Sequence, residues 1–136
     1  MSRLPLKIAC ILILLLLSNS CPGQISEVQP DYTAGDSGLT ITVKPGETFT
    51  VGLFAAPSTA YFWEVVELDA KVVKNTSSEF VPDPATKNTV GGGGTDIWEF
   101  QAVAEGTTKL KMENARTSEP REPRGEFELT INVAGS

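Results

Sequence analysis

Short stretches in which apolar and polar residues alternate follow one another along most of the chain. Residues 39–43 alternate strictly, and residues 49–53 repeat the pattern after a Lys-Pro-Gly-Glu turn. A period of two places one side of a strand against a core and the other side in solvent. Further alternating stretches occupy 97–103, 107–112 and 127–133. The regular spacing of these short strands predicts an all-β chain folded as a β-sandwich.

The stretch 61–74 contains neither Gly nor Pro and leaves two interpretations open. Phe62, Val65, Val66, Val72 and Val73 partly fit one face of a helix. Its β-branched and aromatic clusters favour two strands that meet near Asp69, because such side chains lose rotamer freedom in a helix and suit a pleated surface. Strands are the interpretation that we favour.

The N-terminus has the features of an export signal. Arg3 and Lys7 precede an unbroken apolar run of ten residues at 8–17, and small residues follow at 18–20. Such a run is too short for a helix that spans a bilayer, which takes about twenty residues. We therefore predict a signal peptide at 1–20, a polar tether at 21–37 and a domain at 38–136, with a short membrane anchor as the alternative to the signal peptide.

The cysteines bear on where the exported protein resides. Cys21 follows the small residues, as the lipidated cysteine of a bacterial lipoprotein signal does. We expect a secreted or periplasmic protein, or a lipoprotein anchored to a membrane through Cys21. Because Cys10 lies in the leader, Cys21 is the one cysteine of the mature chain and cannot form an internal disulfide.

Composition and charge exclude several classes of function. The chain of 136 residues has no histidine, which excludes Ser-His and Cys-His nucleophile pairs and metal sites built on histidine. The leader holds two basic residues and no acidic one, so its removal changes the formal net charge from −6 to −8. That charge argues against nucleic-acid binding, which needs Lys and Arg against phosphates. We predict a monomeric binding or structural module, not an enzyme, without metal or cofactor.

Three loops interrupt the strand pattern, at 56–60, 82–95 and 115–125, and we number them in that order. The second loop contains four consecutive glycines but lacks the Lys-Ser/Thr and the following helix of a phosphate-binding loop. Two interpretations of the glycines remain: a flexible hinge, or a backbone that approaches a partner closely. The third loop concentrates positive charge in Arg116, Arg121 and Arg124. Alternate connections of an antiparallel sandwich lie at one end, so we expect the loops to form one surface.

These loops, together with export and the β-sandwich pattern, resemble the chagasin family of cysteine-protease inhibitors. The family's first loop is Asn-Pro-Thr-Thr-Gly followed by Tyr-x-Trp, and residues 56–63 here are Ala-Pro-Ser-Thr-Ala-Tyr-Phe-Trp. Its second loop is Gly-x-Gly-Gly, which the four glycines at 91–94 match. Its third loop is Arg-Pro-Trp, of which only the Arg survives in Arg116-Thr117-Ser118.

The resemblance implies an immunoglobulin-like β-sandwich of about seven to eight strands whose three loops enter the active-site cleft of a papain-like cysteine protease. The function implied is that of an exported, reversible protein inhibitor. The middle of the first loop would lie over the catalytic thiol, and the other loops would grip the cleft walls. The implied protease-binding residues are Pro57, Ser58, Thr59, Ala60, Gly91, Gly92, Gly93, Gly94 and Arg116.

Departures from the family pattern keep a second function open. Ala56 in place of Asn removes a side chain that can brace the first loop. Ala60 in place of Gly introduces strain if that position needs a positive φ. The third loop lacks the large aromatic that often anchors an interface. The alternative is therefore an exported immunoglobulin-like adhesion or envelope module without inhibitory activity.

Overall fold

A computed structural model describes residues 29–86, 92–118 and 120–135. The predicted signal peptide at 1–20, the lipidation candidate Cys21 and the loop residue Gly91 lie outside these ranges. Within them, no helix is long and apolar enough to cross a membrane. The described residues form eight strands: β1 (Tyr32–Thr33), β2 (Thr40–Val43), β3 (Thr48–Ala55), β4 (Tyr61–Glu67), β5 (Val73–Pro82), β6 (Gly94–Ala102), β7 (Gly106–Arg116) and β8 (Pro123–Val133).

The strands form two four-stranded sheets, with the orders β1-β3-β6-β5 and β2-β8-β7-β4. β1 runs parallel to β3 and β2 runs parallel to β8, whereas the remaining neighbours are antiparallel. The arrangement confirms the predicted immunoglobulin-like β-sandwich. The stretch 61–74 belongs to β4, β5 and the turn between them, so the strand interpretation is confirmed.

The core lies between the sheets and is built from the alternating positions that the sequence marks as apolar. Phe49, Val51 and Leu53 from β3 are buried, and so are Phe127 and the apolar residues that follow it in β8. The ring of Phe49 stacks on that of Phe100 from β6, with centroids 5.5 Å apart. Each sheet buries one apolar face against the other sheet. The removal of this apolar surface from water is the main force that holds the sandwich together.

β1 lies inside the segment that the sequence analysis assigns to the tether. Tyr32 is opposite Val51 in a parallel pair, and its ring meets that of Phe49 edge-on at 5.9 Å. Asp31 adds a second attachment, because its carboxylate accepts a hydrogen bond from the Thr50 backbone N–H at 2.9 Å. The folded domain therefore begins before residue 38, and a strand of two residues is too short to show an alternation in the sequence.

The register of the strands brings all three loops to one end of the sandwich. Ala55, at the end of β3, is opposite Gly94, and Tyr61, at the start of β4, is opposite Arg116. We call this end, formed among the described residues by 56–60, 83–86, 92–93, 117–118 and 120–122, the loop end. The C-terminal strand finishes at the opposite end, where Val133 pairs with Gly106 and the Ala134 N–H donates to the Val43 carbonyl at 3.0 Å.

Candidate functional site

The first loop is a single 3₁₀ turn, Pro57–Thr59, closed by its own hydrogen bonds. Thr59 donates twice to the Ala56 carbonyl, from its backbone N–H at 3.0 Å and from its hydroxyl at 2.6 Å. The Ala60 N–H donates to the Pro57 carbonyl at 3.0 Å. Ser58 and Thr59 are exposed. The Thr59 hydroxyl thus provides a local brace in a loop where Ala56 has no polar side chain to do so.

Ala60 adopts the left-handed conformation, with φ 65° and ψ 17°. It is the one non-glycine residue with positive φ in the part of the chain that the structure describes. An L-residue in this region brings its Cβ close to the following carbonyl, at a cost of about 1–2 kcal/mol. The turn does require a positive φ at this position, so Ala60 carries the strain expected from its replacement of Gly.

Trp63 ties the base of the first loop to the opposite sheet. Its indole N–H donates to the Phe54 carbonyl at 2.8 Å, and the indole packs partly buried against the core. The side chain of Phe54 points the other way and is 70% exposed. This bond fixes the backbone of β3 just before the turn while leaving an aromatic ring on the surface beside it. No motif in the sequence singles out Phe54.

Three described glycines of the second loop, Gly92, Gly93 and Gly94, pack against this chain itself. A Cβ at Gly93 would lie 2.6 Å from the Phe54 ring, and one at Gly94 would lie 2.3 Å from the Val81 carbonyl. Gly94 is buried in β6, where it is opposite Ala55, and its contact with a protease stays a prediction. The Asp83 N–H donates to the Gly93 carbonyl at 3.1 Å and closes the base of the loop.

The third loop spans 117–122 and is shorter than predicted, because β7 extends through Arg116 and β8 begins at Pro123. Arg121 folds back over the sheet and bridges Glu64 and Glu113, donating from Nε to Glu64 at 3.0 Å and from Nη1 to Glu113 at 2.6 Å. The two glutamates face each other directly across β4 and β7. Like charges in that position repel, and Arg121 offsets the repulsion.

The bridge also affects the pKa of Arg121. Hydrogen bonding to Glu64 and then to Glu113 raises the pKa of Arg121 above its already high ordinary value. Both carboxylates are occupied by this guanidinium, so Arg121 fastens the third loop to the sheet. The sequence groups Arg121 with Arg116 and Arg124, but the structure separates it from them.

Arg116 and Arg124 converge on Tyr61. Their guanidinium carbons lie 4.8 Å and 4.6 Å from the centroid of the Tyr61 ring. A groove of about 320 Å³ runs beside Arg124 and includes Thr59 and Asn114 in its lining. A second groove of about 270 Å³ is lined in part by Arg116. The Tyr61 ring therefore stands between the first and third loops, with a cation from each of two strands beside it.

One carboxyl group near the loop end is partly removed from water. Asp96 lies two residues into β6, opposite Leu53 and Phe80, and burial raises its pKa above the ordinary value of 3.8.

No set of three His, Cys, Asp or Glu side chains placed to hold a metal ion occurs among the described residues. The loop end thus offers backbone groups, hydroxyls, an exposed aromatic and cations to a partner.

A model of the chagasin family of peptidase inhibitors (I42) matches residues 42–133. Among solved structures, the chain is similar to EhICP2, a cysteine protease inhibitor from Entamoeba histolytica, with a TM-score of 0.67 and 18% identity over 78% of this chain and 100% of that one. It is also similar to Amebosin, with a TM-score of 0.60 and 25% identity over 78% and 100% of the two chains.

A third similar structure is PbICP-C, which was solved in complex with falcipain-2. Its TM-score is 0.52, with 15% identity over 84% of this chain and 95% of that one. No curated protein sequence matches significantly.

Proposed function

Because this chain belongs to the chagasin family of peptidase inhibitors, we propose that it is a reversible, non-covalent inhibitor of papain-like cysteine proteases. The observation that carries the proposal is the strand register, which brings all three loops to one end of a rigid sandwich. A single surface of this kind is what an inhibitor needs to occupy a cleft.

The first loop is proposed to lie over the catalytic thiol of the protease. Its turn is closed by the Thr59 and Ala60 hydrogen bonds, and Pro57 restricts its own φ. A loop that is ordered before binding loses less conformational entropy on association, which favours affinity. Ser58 and Thr59 present hydroxyls without a neighbouring general base, so inhibition results from occupancy of the cleft and involves no covalent step.

The other two loops are proposed to contact the walls of the cleft. In the second loop, Gly93 lies against the exposed Phe54 ring, so the two present one continuous surface. In the third loop, Arg121 is bound to Glu64 and Glu113, and we propose that Arg116 contacts the protease.

An inhibition assay tests this function directly. The chain without its leader, residues 22–136, is titrated against a panel of papain-like proteases, and we expect competitive inhibition in the nanomolar to micromolar range. Proteases that keep full activity at about 10 μM inhibitor would refute the proposal.

A charge in the first loop gives a sharper test. Ser58→Asp places a carboxylate on the exposed turn without removing the Thr59 brace, and we expect it to weaken inhibition strongly because the charge must be desolvated in the cleft. Ser58→Asn is the matched control of nearly equal size and no charge. Thr59→Asp is expected to weaken inhibition as well, but it also removes the bond to the Ala56 carbonyl.

Export is part of the proposal. We propose that residues 1–20 direct export and are removed, and that the product is secreted, periplasmic or anchored through a lipid on Cys21. Mass spectrometry of the mature N-terminus distinguishes these products, because lipidation adds the mass of acyl chains to a peptide that begins at Cys21. Recovery of an intact N-terminus at Met1 would refute cleavage.

The departure of Thr117-Ser118 from the family's third loop favours one alternative, an exported immunoglobulin-like adhesion or envelope module. Under this alternative, affinity capture recovers an envelope protein or a carbohydrate and no protease. The inhibition assay separates the two functions, because a module that kept only the scaffold leaves every protease active.

A further inference from the structure

Two cations at the loop end have no carboxylate partner among the described residues. Three of the described cations form ion pairs, namely Lys109, Lys111 and Arg121. Lys44, Lys71 and Lys74 form none, but they lie toward the opposite end, in or beside the turns that flank β2, β3 and β5. Arg116 and Arg124 are therefore an unneutralised pair at the loop end of a chain that is net negative.

Both arginines are held to a single ring. Their guanidinium carbons lie 4.8 Å and 4.6 Å from the centroid of Tyr61, so the two charges are closer together than the Debye length of about 10 Å at 0.1 M salt. At that separation they repel, and the attraction of the half-buried Tyr61 ring for a cation offsets only part of the repulsion. An anion between or beside them would relieve the repulsion and complete the hydrogen bonding of both planar groups.

We propose that Arg116 and Arg124, positioned by Tyr61, form a binding site for an Asp or Glu carboxylate on the rim of the target protease's cleft. This inference rests on the proposed function and adds the chemistry of the preferred partner. Guanidinium groups bind carboxylates in a two-pronged geometry, and cations at an interface mainly accelerate association with an acidic partner. The inhibitor would thus select papain-like proteases with acidic rims.

The location of the pair fits this role. Arg124 lines the groove that also contains Thr59 of the first loop, and Arg116 lines the groove that contains Thr117 of the third loop. A carboxylate bound at Arg124 would lie beside the turn that is proposed to cover the thiol. Arg121 cannot replace either arginine, because Glu64 and Glu113 occupy it.

The experiment measures association rate constants of the protein with papain-like proteases that differ in the number of Asp and Glu on the rim. Rates are compared at about 0.01 M and about 1 M NaCl, where the Debye length falls from about 30 Å to about 3 Å. The variants are Arg116→Gln, Arg124→Gln and the double substitution. Lys44→Gln at the opposite end is the matched control, since it removes one charge from an exposed turn.

For an acidic-rim protease, we expect the double variant to associate about tenfold more slowly at low salt, with most of the difference lost at high salt. Lys44→Gln should change the rate less than twofold, and Tyr61→Phe, which keeps the ring, should behave like the wild type. Replacing the rim carboxylates of the protease by amides should remove the effect of the double variant.

Equal rates for wild type and double variant, or an equal loss with every protease and at both salt concentrations, would overturn the carboxylate site while leaving inhibition itself intact. A wild-type protein that inhibits none of the proteases would instead overturn the proposed function, and the carboxylate site with it. Circular dichroism and thermal melts of each variant show whether a loss of rate reflects a loss of folding.

Discussion

Replacing Ala60 by Gly is expected to stabilise the protein. Ala60 holds φ 65° and ψ 17°, a conformation that costs an L-residue about 1–2 kcal/mol and costs glycine almost nothing. Glycine also adds conformational freedom to the unfolded chain, which offsets about 0.4–1 kcal/mol of the gain. Ala60 is exposed, so its methyl group contributes little packing. We therefore expect a net increase in the free energy of unfolding of about 0.5–1 kcal/mol.

Urea unfolding measures this difference. The midpoint should rise while the slope stays constant, because a changed slope would indicate a change in the surface exposed on unfolding. Ala56→Gly is the matched control, since Ala56 lies in the same loop with φ −135° and has no strain to relieve. Ala56→Gly should lower the free energy of unfolding by about 0.4–1 kcal/mol, because glycine increases the conformational entropy of the unfolded chain. If both variants lost stability by the same amount, the left-handed conformation of Ala60 would carry no cost and the reasoning would be wrong.

Three further changes test other parts of the structure. Phe54→Ala should weaken inhibition about tenfold in a titration with little change in the melting temperature, because its ring is 70% exposed beside the first loop. Gly94→Ala should lower the free energy of unfolding, measured by urea titration, by about 1–3 kcal/mol, since its Cβ would lie 2.3 Å from the Val81 carbonyl. Burial raises the pKa of Asp96 above its ordinary value of 3.8, so the protonated carboxyl favours folding below that value, and this contribution is lost as the pH rises through the raised pKa. Asp96→Asn should therefore flatten that part of a stability profile, and an unchanged profile would contradict the assignment.

The sandwich follows from the sequence because most of its strands bury one face. The alternation at 49–53 and 127–133 places apolar side chains on that face, and these residues are buried as predicted. Alternation does not predict β1, because a strand of two residues is too short to show a period of two. β1 is held by the packing of Tyr32 on Phe49 and by the hydrogen bond that Asp31 accepts from the Thr50 N–H. Such a strand is defined by its partner rather than by its own pattern.

The site was less predictable because it depends on the register between strands. Arg116, Arg121 and Arg124 look equivalent in the sequence, within one polar and proline-containing segment. Only the direct opposition of Glu64 and Glu113 explains why Arg121 is bound internally while the other two meet at Tyr61. Similarly, the run of glycines suggests a hinge or an open approach, whereas Gly92, Gly93 and Gly94 have neighbours too close to admit a Cβ without a shift.

The attachment of the C-terminal strand has a practical consequence for orienting the protein on a surface. Val133 pairs with Gly106, and the Gly135 N–H donates to the Glu105 carboxylate at 2.9 Å, so the chain leaves the sandwich at the end opposite the loops. β8 spans eleven residues, which separates the two ends by about 35 Å. A biosensor linkage or display fusion placed after residue 135 would therefore hold the molecule upright, with the three loops facing the solution.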